Sequence, residues 1–174
     1  MSNAISSEPL RAPDKSSVQI LSLDELESSP VRVGVNYWRG LRAERKFPAR
    51  SQLMPRDLSG ILRNIVLLRV LDGGRDYQYR IVGDAHVHNY GVNFKNMLSS
   101  DIEREAPEHG RLMRTVYEHV RNAQAPLAVR GWIRREILNA RFVYHESAFL
   151  PFGEDETAVD HILVVSFYVP KAKV

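Results

Sequence analysis

The chain has 174 residues, 44% hydrophobic and 26% charged, with no cysteine and a formal net charge of +3. That is enough for one globular domain with a true core plus an extension, in an ordinary soluble composition. The missing cysteines exclude thiol nucleophiles, disulfides and thiolate metal sites. No apolar run approaches the roughly 20 residues of a membrane-spanning helix, and the first 30 residues lack the order of a signal peptide, so a cytoplasmic protein is expected.

Charge is uneven along the chain. Residues 1–30 hold Arg11 and Lys15 against Glu8, Asp14, Asp24, Glu25 and Glu27. In the next twenty, Arg32, Arg39, Arg42, Arg45, Lys46 and Arg50 face only Glu44. A basic face of this kind attracts nucleic acid or an acidic partner, although a solvated helix face is the more ordinary reading.

Residues 1–17 are rich in Ser, Pro and Glu and are expected to be disordered, because they cannot bury enough surface to offset chain entropy. A short strand follows at 18–21. Ser22 and Glu25 then fit a capping box for a short helix, which Pro30 is expected to end. Residues 18–35 thus read as an N-terminal extension to a domain at 36–170. An amphipathic helix is expected at 36–46, carrying Tyr37, Trp38 and Leu41 near one face and arginines on the other, with Pro48 stopping it. Pro55 opens a second helix whose buried stripe is Leu58, Ile61, Leu62 and Ile65.

The run at 65–71 is apolar enough for a strand covered on both faces. Asp72-Gly73-Gly74 is a hairpin turn. The next strand alternates, with Tyr77, Tyr79 and Ile81 pointing one way. Gly83 breaks it, and a short helix runs from Asp84 to Tyr90, closed by Gly91. Pro107 opens the longest helix, to about Ala123, with a face of Leu112, Met113, Val116, Tyr117 and Val120. Pro126 returns the chain to extended structure. Three strands follow at 127–133, 142–150 and 160–169. Strands at both ends with helices between them give an α+β fold, one antiparallel sheet with helices over one face.

The order of elements and several short motifs resemble a PAS domain, and within that group the single-domain bacterial family called PAS type 5. The motifs are YWRGLR at 37–42, FPAR at 47–50, Pro55, YRIVG at 79–83, Tyr90-Gly91, LPF at 150–152 and VDHIL at 159–163. The sequence departs from the family pattern at ILRN (61–64), at Asp84 and at Lys95-Asn96. The resemblance implies a five-stranded antiparallel sheet and a sensory, regulatory role in signalling, with no catalytic residues. A protein partner and a homodimer are expected, with no membrane and with nucleic acid as the alternative partner through Arg32–Arg50.

If Tyr79, Ile81, His88, Tyr90 and Tyr144 converge, they line a small-molecule pocket of apolar walls and polar tips. A filled core with tyrosine hydroxyls at its edge is the simpler reading. No cofactor is required by the sequence. Cysteine-adduct flavin chemistry is excluded. A haem held by one histidine, His119 or His88, is the cofactor alternative. His86 and His88, two apart on a helix, point about 200° from each other and do not share a metal. Tyr37, Trp38 and Leu41 are expected to pack on the sheet or on a second subunit. Arg80 and Glu146, both mid-strand, read as a structural ion pair. No nucleophile elbow, phosphate loop or dinucleotide fingerprint occurs, so no enzyme activity is expected.

Overall fold

The computed structural model describes residues 18–132 and 140–172. Among them are six strands: β1 (Val18–Leu21), β2 (Ile65–Leu71), β3 (Asp76–Val82), β4 (Leu127–Trp132), β5 (Phe142–Phe152) and β6 (His161–Pro170). They form one antiparallel sheet in the order β1-β4-β5-β6-β2-β3. The expected five strands are β2 to β6. The short run at 18–21 adds a sixth, beside β4, with Val18 opposite Gly131 and Leu21 opposite Ala128. The tail at 1–17 and most of the expected 134–140 connection lie outside the described residues.

Helix α1 (Ser29–Arg42) covers one face of this sheet. It begins earlier than the expected 36–46 and crosses the boundary placed between extension and domain. Pro30 starts this helix and does not end the preceding one. At a first-turn position its missing N–H removes no helical hydrogen bond. Val31, Val35 and Trp38 fall at helical spacing and are buried. Between them Gly34 lies so close to β6 that an added Cβ would meet Val165 Cγ2 at 2.6 Å. Val165 is opposite Ala148 of β5, so the two mark the sheet face under α1.

The 3₁₀ helix Pro55–Asn64 leads into β2. Its tighter repeat of three residues keeps Leu58 and Ile61 on the buried side. Leu62, which a 3.6-residue repeat places in the stripe, is 40% exposed.

Three helices cover the other face: α2 (Asp84–Tyr90), α3 (Ser99–Glu105) and α4 (Pro107–Ala123). Tyr117 of α4 lies over Phe149 of β5, with ring centroids 6.3 Å apart. In α4 the expected face is largely present, except that Leu112 is 50% exposed. Helix α3 is pinned at its start by Asp76 of β3, which accepts from Ser99 Oγ at 2.7 Å and Ser100 Oγ at 2.5 Å. Burial pushes the Asp76 carboxyl up, but those hydroxyls and the backbone N–H groups of Tyr77 and Ser100 outweigh it and hold its pKa below the ordinary value.

Two β-bulges decide which side chains meet. Leu67 pairs with Ile81, but Leu68 pairs with Tyr79, leaving Arg80 as the extra residue. Paired residues share a face, and Leu67 and Leu68 point opposite ways. Ile81 therefore faces the α1 side, against the expected alternation, while Tyr77 and Tyr79 face α4. A second bulge separates Phe142, opposite Pro170, from Tyr144, opposite Val169. It turns Phe142 toward the α2 side and leaves Tyr144 on the α1 side.

The expected Arg80–Glu146 pair does not form. Arg80 is exposed on the outer strand β3, and two strands, β2 and β6, separate it from Glu146 on β5. Glu146 is 1% exposed. It accepts hydrogen bonds at the start of α1 from Ser28 N (2.7 Å), Ser28 Oγ (2.6 Å) and Glu27 N (3.1 Å).

On β3, Tyr79 N donates to Met97 O and Asn96 N to Tyr79 O, so the 96–98 loop covers that edge. Such a cover prevents unwanted strand pairing.

Candidate functional site

The layer between α2–α4 and the sheet holds a continuous cluster of rings. It starts at β3, whose Tyr79 hydroxyl lies 2.8 Å from the Tyr117 hydroxyl of α4, both groups buried. Burial pushes the Tyr79 phenol up to about 12 and the Tyr117 phenol well above its ordinary value, so both stay protonated. Phe94 continues the cluster, 5.5 Å from Tyr79 and 5.8 Å from Tyr90.

Tyr90 is the hub. Its ring stacks on His86 at 4.4 Å, meets Phe142 at 5.3 Å and His109 at 5.5 Å, and stands edge-on to Tyr168 at 6.1 Å. Phe142 and Tyr168 are 4.7 Å apart. His86 Nδ1 and the Tyr168 hydroxyl share a hydrogen bond of 2.8 Å. His145, opposite Tyr168 in the β5–β6 register, closes the cluster on the sheet side. Deeper in the sheet the Ser147 and Ser166 hydroxyls bond each other at 2.8 Å.

Burial drives the three histidines toward the neutral form, the His86 pKa down to about 3 and those of His109 and His145 to about 4. Nearby imidazoles add to this, His109 acting on His86 and His145 on His109. His109 Nδ1 is buried with no hydrogen-bond partner among the described residues.

Of the five residues expected to line a pocket, the structure brings Tyr79 and Tyr90 together through Phe94. It does not bring the other three. Ile81 and Tyr144 lie on the α1 face, and Tyr144 packs on Trp132 with centroids 5.0 Å apart. His88 is exposed on α2. The residues missed are His86, Phe94, His109, Tyr117, Phe142, His145 and Tyr168. Some carried a signal: His86 sits four residues before Tyr90, hence on the same helical face, whereas His88 sits two before it. His109 likewise falls four before Met113 on the inward stripe of α4.

His88 and His119, the two candidate haem ligands, are both exposed. Neither reaches the layer in which a flat cofactor would sit, so these residues do not fit that group. Among the described residues no group of three or more His, Asp, Glu or Cys is placed to hold a metal ion.

The candidate interface residues are engaged within the chain. Trp38 is 2% exposed and donates Nε1–H to Pro151 O at 2.8 Å. The Tyr37 hydroxyl accepts from Met54 N at 3.0 Å, and Leu41 packs against the core. Of the two arrangements expected for this stripe, packing on the chain's own sheet is the one observed.

The basic region is also largely engaged. Arg39 pairs with Asp24 at 2.8 Å, Arg42 lies over the Trp38 ring and donates to Arg45 O, Arg45 donates to Leu41 O and Gln52, and Arg50 donates to Leu53 O. Lys46 donates to Gln124 Oε1 at 3.3 Å, so five of the six cations are turned to intramolecular acceptors, which is a poor phosphate-binding stripe.

Gly83 sets the angle between β3 and α2. Its N–H bonds Ile65 O at 2.8 Å, and an added Cβ would stand 2.4 Å from Arg63 O and 2.5 Å from Leu62 O. Both neighbours are backbone and cannot yield cheaply. Gly83→Ala is expected to destabilise by about 1–3 kcal/mol and to shift the α2 resonances more than those of α1. Urea denaturation and an amide chemical-shift map check this, and an unchanged map would show that α2 does not depend on this contact.

Comparison with known proteins agrees with this architecture. No curated protein and no solved structure matches the chain. A protein-family model described as PAS domain matches residues 26–165, from just before α1 into β6, and leaves out β1. With most of its length matched and the sheet order and helical cover in place, the chain belongs to the PAS domain family, type 5.

Proposed function

We propose that this chain is a non-catalytic sensory and regulatory domain that acts by protein–protein contact, as a homodimer in the cytoplasm. On this reading a small molecule is received between α2–α4 and the sheet. The observation that supports it most is the ring cluster centred on Tyr90. It lies beneath two seven-residue helices, α2 and α3, which depend on tertiary contacts for their stability. A ligand acts here by favouring one of two packings of that cover. Its recognition is expected to be mainly apolar and aromatic, with imidazole and phenol groups fixing its orientation.

Native mass spectrometry of the freshly purified protein tests both parts at once. A dimer carrying an added small mass supports the proposal. Bare monomer at micromolar concentration would overturn the dimer and the resident ligand together. A bare dimer would remove the resident ligand only. Retention on nucleic acid at low salt, lost steeply as salt rises, would instead favour binding through Arg32–Arg50.

A further inference from the structure

The three half-buried histidines of the ring cluster are distributed in a way that the ligand reading does not use. His86 comes from α2, His109 from α4 and His145 from β5, so they stand on both sides of the boundary between helical cover and sheet. Two of them border one ring, Tyr90, at 4.4 Å and 5.5 Å, and the third borders Phe142 at 6.2 Å.

No carboxylate among the described residues is turned toward them. Among the described residues, the titratable groups turned toward them are one another and the phenols of Tyr79, Tyr90, Tyr117 and Tyr168. On α2, Asp84 and His88 are exposed, as are Glu108, Arg111 and His119 on α4 and Lys95 in the loop between α2 and α3. Glu103 of α3 is paired with Arg114. On the sheet, Glu146 faces α1, and His161 is paired with Asp160. In the 3₁₀ helix before β2, Arg56 and Arg63 are exposed.

We infer that the α2–α4 cover is a proton-released latch: protonation of His86, His109 and His145 loosens this layer from the sheet while α1 keeps the opposite face closed. The first imidazolium to form has no anion beside it among the described residues, only neutral groups such as the Tyr168 hydroxyl, and the second is repelled by the first. The α1 face differs. Its core of Val31, Val35, Trp38, Leu150 and Val165 is apolar, the buried Glu146 carboxylate there is held by three donors, and His161, on the same sheet face, has the Asp160 carboxylate beside it at 2.6 Å. An imidazolium is therefore without a counter-charge in one layer of the molecule and not in the other. This device rests on the reading of the cover as the movable, signal-receiving part, but it needs no bound ligand.

The direction follows from linkage. The folded-state pKa values, about 3, 4 and 4, lie below the ordinary 6.5. The opened state thus binds more protons between those values, and closure is complete above about pH 6.5 and lost as pH falls toward 4. Each histidine shifts the opening equilibrium by about tenfold between pH 7.5 and 5.5, and the three together by roughly 10³-fold, an upper figure for rings that keep some contact with water.

Hydrogen exchange by mass spectrometry, corrected for the intrinsic pH dependence of exchange, reads this directly on the wild-type chain. At pH 5.5 the amides of α2 and α4 are expected to lose about 10²- to 10³-fold of their protection relative to pH 7.5, with α1 and β6 changing by less than tenfold. NMR titration of the imidazole carbons is expected to leave these three rings neutral in the closed state below pH 5. Rings titrating near 6.5 without a change in exchange would overturn the inference, as would loss of protection in all elements together. His109→Gln is expected to make the α2 and α4 response about tenfold smaller. If that variant does not fold, the wild-type titration and exchange still decide. A latch that fails with a ligand still found in the native mass spectrum refutes the proton device and leaves the ligand reading standing.

Discussion

Replacing Glu146 by alanine is expected to destabilise the protein by about 3–5 kcal/mol, among the largest effects available to any single polar side chain here. The carboxylate is buried on β5 and receives three donors from the chain entering α1: Glu27 N, Ser28 N and Ser28 Oγ. It stands where a helix needs an acceptor. The first N–H groups of α1 lack intrahelical partners, and the positive end of the helix favours a negative charge. Alanine leaves those part-buried donors and the pocket of the carboxylate without their partner, at a cost of up to about 1–3 kcal/mol for each donor that water does not reach. Glu146→Gln keeps the volume and one acceptor oxygen but loses the charge and turns an NH₂ group on the same donors. It is expected to cost about 1–3 kcal/mol. Urea denaturation orders the three proteins, wild type above Gln above Ala. If Gln and Ala cost the same, the volume of the side chain matters more than its hydrogen bonds.

The same residue shows what a sequence conveys and what it withholds. A lone glutamate in an apolar strand signals a buried partner, and the sequence reading supplied one, Arg80. The partner is instead the backbone at 27–28, which no charge pattern marks, because a backbone N–H is present at every residue except proline. Strand and helix positions were legible for a different reason. Turn and cap residues such as Gly73, Gly91 and Pro107 impose local conformations that tertiary packing rarely overrides.

The candidate site was half legible. Alternation and helical spacing assign faces correctly only while the register is unbroken. Each of the two bulges inserts a single residue, at Arg80 and beside Phe142, and each reverses the faces beyond it. Ile81 was lost from the site for that reason alone and Phe142 was gained, whereas Tyr144 shares the α1 face with Glu146 and Ala148 by plain alternation along β5. His88 is a different case, since the four-residue spacing from His86 to Tyr90 already distinguished the inward histidine from the outward one. The tyrosine–tryptophan stripe of α1 was recognisable as apolar and amphipathic. Whether it covers its own sheet or another chain depends on Gly34, whose missing side chain lets α1 approach Val165, and that closeness is set by both elements together.

Trp38 gives the second large effect. The indole is buried between α1 and the sheet and ties the helix to β5 through the Pro151 carbonyl. Trp38→Ala removes the largest side chain of this face and leaves a cavity that Gly34 and Val165, already in contact, cannot close. The expected cost is about 3–5 kcal/mol. Trp38→Phe keeps most of the apolar volume and leaves the Pro151 carbonyl without its donor, so about 1–2 kcal/mol is expected. Trp38→Glu buries a carboxylate in an apolar layer, with only the half-buried Arg42 over that position, and is expected to abolish cooperative folding. These outcomes separate a core residue from an interface residue. For a core residue, circular dichroism and urea unfolding change in the order Phe, Ala, Glu, whatever the protein concentration. For an interface residue the Glu variant stays folded, and its mass in light scattering falls to that of the monomer. A folded, monomeric Trp38→Glu protein would therefore reassign this side of α1 from the core of one domain to the contact between two.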